Sequence, residues 1–178
     1  MLEAKVGGVE WLLMIYKHFA FDYPKFYRMD NLSKLGWLST EILLQNGLLK
    51  NYQPEDVGIV LSNKSSSLDT DIKYFETTRS VASPALFVYT LPNIVMGEVS
   101  IRHLLKGENA FFVSDHFEIG FMQQYVTGLF NDGSVQSCIC GWLEFFGTHV
   151  EAALYLVEKM QIGTAIPFTQ ENINKLYQ

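Results

Sequence analysis

The run Ser114-Asp115-His116 brings together the side chains of this sequence best suited to chemistry. It stands where a short apolar run, Ala110-Phe111-Phe112-Val113, gives way to a helical pattern over 117–130. An unbroken apolar run of that length suits a strand covered on both faces. A strand that turns abruptly into a helix presents the turn residues to the helix's positive end. There His116 could act as a base or nucleophile, because a helix N-terminus disfavours the cationic ring and leaves a neutral imidazole able to accept a proton. The plainer reading, that His116 caps or packs, carries more weight because partners for the chemistry are missing. Ser, Asp and His are also the residue types of a hydrolase triad. Adjacent residues rarely converge as one, however, and no Gly-x-Ser-x-Gly elbow is present.

The other reactive side chains point to structure. Cys138 and Cys140 alternate on one expected strand, and with His149 as the only nearby helper they are too few for a metal site. Neither begins a helix, so neither has a reason for a lowered thiol pKa. His103 falls near the negative end of a helix over 92–105, where it is favoured electrostatically. Glu98, on the same helix, reads as solvated or paired, and His18 as a surface residue. No glycine-rich phosphate loop appears, and no cofactor or metal is expected.

The elements that would position these residues follow from periodicity. A helix is expected over 9–21, ended by Asp22-Tyr23-Pro24. Asp30 caps a second helix to about Gln45, with Leu32, Leu35, Leu38, Ile42 and Leu43 as its apolar stripe and Asn46-Gly47 as its stop. Strands are expected over 57–61 and 135–146, and a short polar helix over 69–78 after the Ser65-Ser66-Ser67 loop. Asp115 and Glu118 suggest a capping box for the helix over 117–130, and Asn131-Asp132-Gly133 stops it. Phe117, Phe121, Tyr125 and Leu129 line one face of that helix, and Ile119, Met122, Val126 and Phe130 a neighbouring one, so it is expected to be buried on all sides. In the strand over 135–146, Val135, Ile139, Leu143 and Phe145 face one way and Cys138, Cys140, Trp142 and Phe146 the other. A capping box at Thr148 and Glu151 opens an amphipathic helix carrying Val150, Ala153, Leu154, Val157 and Met160, with Gly163 as its stop. Thr169 starts a short terminal helix. This tail is expected to cover exposed sheet or to form a dimer contact.

The totals narrow the function classes. The chain has 178 residues, 48% hydrophobic and 18% charged, with 13 Phe and 9 Tyr. One domain of that size buries about 70% of its unfolded surface. Its charge content is below the usual quarter, which implies that part of the surface is an interface. A net charge of −6 and the lack of a Lys/Arg cluster argue against nucleic acid. Two Cys residues and no secretory or membrane-length apolar run lead to the expectation of a reduced, cytoplasmic setting.

From about Tyr23 to Glu144 the sequence resembles the β-ketoacyl synthases, the condensing enzymes of the thiolase fold. The resemblance rests on Tyr27-Arg28-Met29-Asp30-Asn31-Leu32-Ser33-Lys34, on Asp56-Val57-Gly58-Ile59-Val60, and on Phe87 with Leu91-Pro92-Asn93. Leu105-Lys106-Gly107 and Gly141-Trp142-Leu143-Glu144 continue it in order and spacing. It implies an α/β thiolase-like half-domain, a mixed, mostly parallel sheet with helices on both faces, filling the chain as one domain with an extra helical tail over 148–178. In the same register the family's catalytic Cys falls on His116. The family's glycine-rich turn is replaced by Ser62-Asn63-Lys64-Ser65-Ser66-Ser67, its opening strand is not recognisable, and its second half, with two further catalytic His residues, has no room.

The resemblance therefore implies a synthase-like protein, catalytically degenerate, acting as a partner or scaffold in fatty-acid or polyketide-type synthesis. The alternatives are an active 3-oxoacyl-acyl-carrier-protein synthase or acyltransferase completed by a second chain, and an acyl-binding module using an apolar pocket beside the buried helix. A homodimer or a complex with another synthase-like subunit is expected. An acyl carrier protein is a possible further partner if Lys64, Lys73 and Arg79 form a local basic patch.

Overall fold

A computed structural model describes residues 8–45, 47–160 and 163–178. Helix α1 (Gly8–His18) is followed by a 3-10 turn at Pro24–Arg28 and helix α2 (Asn31–Leu43). Asp30 caps α2 as expected, its carboxylate accepting the Ser33 N–H at 3.0 Å. Asn46, expected to help stop this helix, lies outside the described residues. Strand β1 (Val57–Asn63) leads into helices α3 (Leu68–Thr77), α4 (Pro84–Val88) and α5 (Ile94–His103). Strand β2 (Asn109–Val113), helix α6 (Ile119–Asn131), strands β3 (Ser137–Phe146) and β4 (His149–Glu158), and helix α7 (Gln170–Tyr177) complete the order.

The four strands form one sheet in the order β2-β1-β3-β4. β1 pairs parallel with both β2 and β3, and β4 returns antiparallel to β3. The period-2 alternation of the central strands divides the core in two. Ile59, Leu61, Ile139, Leu143 and Phe145 pack with α1, α2 and α5 on one face. Val60, Cys138, Cys140 and Trp142 pack with α6 and α7 on the other. The expected α/β architecture, mostly parallel with helices on both faces, is therefore present, and β3 is buried through nine of its ten residues.

Four expectations need correction. The segment after Thr148 is strand β4, not a helix. Val150, Leu154 and Leu156 fall on the α2 side of the sheet and Tyr155 and Val157 on the α6 side, so the strand alternation outweighs the helical spacing that also runs through this stretch. Gly147, at φ 60°, begins the two-residue hairpin turn, a conformation glycine takes without steric cost. β2 is an edge strand and only half-buried: Phe111 packs on one core and Ala110 and Phe112 on the other, but among the described residues no further strand lies beyond it. Helix α6 buries one face, through Ile119, Met122, Val126 and Phe130, while Phe121 is 45% exposed. The sheet covers only that one side of α6, and α7 adds cover where Gln170 packs on Gly120. Finally, the N-cap of α6 is Glu118, which makes no side-chain cap bond, so the Asp115–Glu118 capping box does not form.

Candidate functional site

The β2–α6 turn is held by the end of β1 and by the Ser114 side chain. The Ser114 N–H donates to the Asn63 carbonyl at 2.9 Å, and the Ser114 hydroxyl donates to the His116 carbonyl at 2.8 Å. That hydroxyl bond goes to the main chain and not to the ring, so Ser114, Asp115 and His116 do not form a triad. The His116 Nε2 lies 2.8 Å from Glu118 Oε1, and the imidazole is 72% exposed. His116 thus stands at the hinge between β2 and α6, with its ring in solvent.

Beneath it opens a cavity of about 450 Å³ at the carboxyl end of the parallel strands. It is lined by Trp142, Phe146 and Tyr177 and by the exposed His116 and His149. Glu144 and Glu151 also line it, and they are directly paired residues of the β3–β4 ladder. Glu144 is 3% exposed. Its Oε2 accepts the Lys64 N–H at 2.7 Å and the Ser65 N–H at 3.0 Å, closing the serine-rich loop after β1. Its Oε1 is buried with no hydrogen-bond partner in the protein. Glu151 is filled on both oxygens: the Tyr177 hydroxyl donates at 2.7 Å and the Trp142 indole N–H at 3.2 Å. Burial and then that bond to Glu151 push the Tyr177 hydroxyl well above its ordinary pKa, so it stays a donor.

Of these residues, the sequence singled out His116, and gave Glu144 a place in the family signature without a role. It missed the convergence of Glu144, Glu151, Trp142 and Tyr177. The signal was the every-second-residue apolar alternation over 150–156 after Gly147. Read as a hairpin, it places Glu151 opposite Glu144.

The remaining candidates are structural. Cys138 and Cys140 are free and fully buried on the α6 face of β3. The Cys140 thiol is pushed up by Cys138 beside it and by burial, the opposite of activation. Among the described residues, no group of three or more His, Cys, Asp or Glu is arranged to hold a metal. His103 ends α5 with Nε2 3.0 Å from Glu41 Oε1. Burial alone would raise the Glu41 carboxyl, but His103 and Arg102 hold it down at about 2. Glu98 is buried and paired, with Lys25 Nζ at 2.6 Å and the Tyr89 hydroxyl donating at 2.9 Å. His18 is exposed at the end of α1. Beside α6, a cavity of about 190 Å³ is lined by Phe112, Val113, Phe121 and Met122.

No family model matches the sequence, and no curated protein matches it. Solved structures do match the fold. The ishigamide ketosynthase/chain length factor superposes with a TM-score of 0.57 at 23% identity, covering 68% of this chain and 36% of that one. A ketosynthase (ApeO) in complex with its chain length factor (ApeC) from Xenorhabdus doucetiae gives a TM-score of 0.62 at 15% identity, covering 88% of this chain and 73% of that one. AntDE:AntF, a type II PKS acyl-carrier protein in complex with its ketosynthase bound to the hexaketide, gives 0.58 at 17% identity, with 82% and 40% covered. The fold is that of the ketosynthases and chain length factors, and the chain spans about a third of the length of the first of them.

Proposed function

We propose that this chain is a β-ketoacyl synthase-like protein that does not itself condense acyl groups and works as a partner or scaffold in fatty-acid or polyketide-type synthesis. The observation that carries this reading is the β2–α6 turn. On a ketosynthase fold, the sequence register puts the nucleophile at residue 116, and here that residue is a solvated imidazole held by Glu118. A condensing enzyme must store its acyl group as a thioester, and an acyl-imidazole is too labile for that task. The two thiols of the chain are sealed in the core of β3 and cannot take over.

Two further observations support a partner role. The solved structures that share this fold include ketosynthases together with chain length factors, and one holds an acyl-carrier protein. The stretch over 68–91 also leaves Phe75, Val81 and Phe87 more than half exposed, together with Leu91. Apolar exposure on that scale marks an interaction surface. No helix among the described residues is long and apolar enough to cross a membrane.

Native purification from its own cells with mass-spectrometric identification of bound chains tests the partnership. The chain is expected to come with a second synthase-like chain or as a dimer of itself, with an acyl carrier protein as a weaker companion. A chain that purifies alone and is monomeric by light scattering would refute the scaffold role.

A further inference from the structure

Strand β4 borders the sheet, and among the described residues no strand lies beyond its outer edge. The ladder to β3 fixes which of its backbone groups face outward. The Lys159 N–H donates to the Gln136 carbonyl at 3.0 Å, the Val157 carbonyl accepts the Ser137 hydroxyl at 3.2 Å, and the Ala153 carbonyl lies against Gly141. The odd-numbered residues of β4 therefore bond β3, and Val150, Ala152, Leu154 and Leu156 turn their N–H and C=O groups outward. None of those outward groups has a hydrogen-bond partner among the described residues. The side chains of the same four residues stand on the α1–α2 side of the sheet. There the exposed Ala152, with Leu154, borders an apolar cavity of about 310 Å³ lined also by Trp11, Ile15, Leu38 and Ile42.

An open edge is a template for another strand, and lone edges are guarded by Lys, Pro, a bulge or shortness. The opposite edge, β2, is five residues long. β4 is ten residues long, keeps one-to-one register with β3, and carries neither charge nor proline over 152–157. The charge distribution says which strand fits. With a net charge of −6, copies of the chain repel one another except where they meet without charge. In β4 the charged side chains are confined to the ends, His149 and Glu151 before the uncharged run and Glu158 after it. An antiparallel copy sets that run against itself and puts no carboxylate opposite a carboxylate. We propose that β4 pairs edge to edge, antiparallel, with β4 of a second copy of this chain, joining the two sheets into one. Residues 165–168 flank the far end of β4, around a cavity of about 220 Å³ shared with 156–160, so the pairing centres near 152–154. That register sets the small Ala152 opposite Leu154 of the copy. Opposed residues of neighbouring strands share a face, so the copy's Leu154 comes to lie on the α1–α2 side, over the cavity beside Ala152.

The test uses the full chain, in sedimentation velocity over a concentration series and in residue-by-residue amide exchange by NMR. The parent is expected to dimerise, with the Ala152 and Leu154 amides exchanging slowly in the dimer and quickly in the monomer. Ala152→Lys sets an ammonium against the copy's apolar run, and Ala152→Pro removes an outward N–H without breaking a bond to β3. Each should weaken dimerisation by about tenfold or more, with folding checked by circular dichroism. If Ala152→Pro does not fold, Ala152→Lys decides, because that side chain is exposed. A parent that stays monomeric, a dimer unchanged in the folded variants, or amides equally protected in monomer and dimer would each overturn the proposal. A monomeric chain that still purified with a synthase-like partner would overturn it and leave the scaffold reading standing.

Discussion

Replacing Gly141 by Ala is expected to remove a large part of the protein's stability. Gly141 sits in the middle of β3 at φ +149°, and a Cβ there would lie 1.9 Å from the Ala153 carbonyl oxygen. That oxygen is main chain, fixed in the β3–β4 ladder where Gly141 pairs with Leu154. On its other side the Gly141 carbonyl accepts the buried Ser62 hydroxyl of β1 at 3.3 Å. Neither neighbour can move without parting strands. Overpacking and a φ that side chains seldom adopt each cost about 1–3 kcal/mol, so a loss of about 3–5 kcal/mol is expected from a domain total of about 5–15. Urea unfolding followed by circular dichroism reads it directly, and a midpoint within error of the parent would show that β3 and β4 are not joined as described.

Trp37→Ala is expected to cost a similar amount for a different reason. Trp37 is fully buried in α2 and holds the aromatic group at the chain's first core. Tyr23 stacks on it at 5.2 Å between centroids with planes 2° apart, Phe21 meets it edge-on at 5.4 Å, and the Arg102 guanidinium lies 5.7 Å from its ring. Truncation leaves a large cavity that these rings cannot close, worth about 3–5 kcal/mol. Trp37→Phe keeps a ring and removes an indole N–H that has no partner in the core, so it should cost less than about 1.5 kcal/mol. The pair is measured by the same unfolding experiment, and equal losses in both variants would contradict the packing account.

How far such features could be read from residues alone depends on how local their causes are. The Asp30 cap and the stripe of Leu32, Leu35 and Leu38 are set within a few residues, and α2 forms where expected. The split of β3 into an Ile139-Leu143-Phe145 face and a Cys138-Cys140-Trp142 face follows from strand geometry, and both cores respect it. Val135, expected with the first face, instead precedes the strand and packs on the α6 side, and Phe146 is 40% exposed. β4 was misread because Val150, Ala153, Leu154 and Val157 satisfy helical spacing while alternate positions over 150–156 satisfy a strand. Only the ladder to β3, a tertiary fact, decides between them. The same misreading hid the cavity, since Glu151 meets Glu144 only when the chain returns as a hairpin. Helix α6 is apolar nearly all round, yet among the described residues it is covered by the sheet and in part by α7, and Phe121 stays 45% exposed. Periodicity reports what a helix could bury, not how many neighbours it finds.

The turn at His116 is the part of the account on which function rests. The fold shared with ketosynthases makes condensation the obvious activity to test, and the exposed imidazole with the sealed thiols argues against it. The direct measurement is incubation of the pure chain with a malonyl-carrier and an acyl-carrier substrate, following 3-oxoacyl product and released carbon dioxide by mass spectrometry. No product above the protein-free control is expected. Product formed by the pure chain and abolished by His116→Ala would contradict the account, because it would make His116 the nucleophile or base of a working synthase.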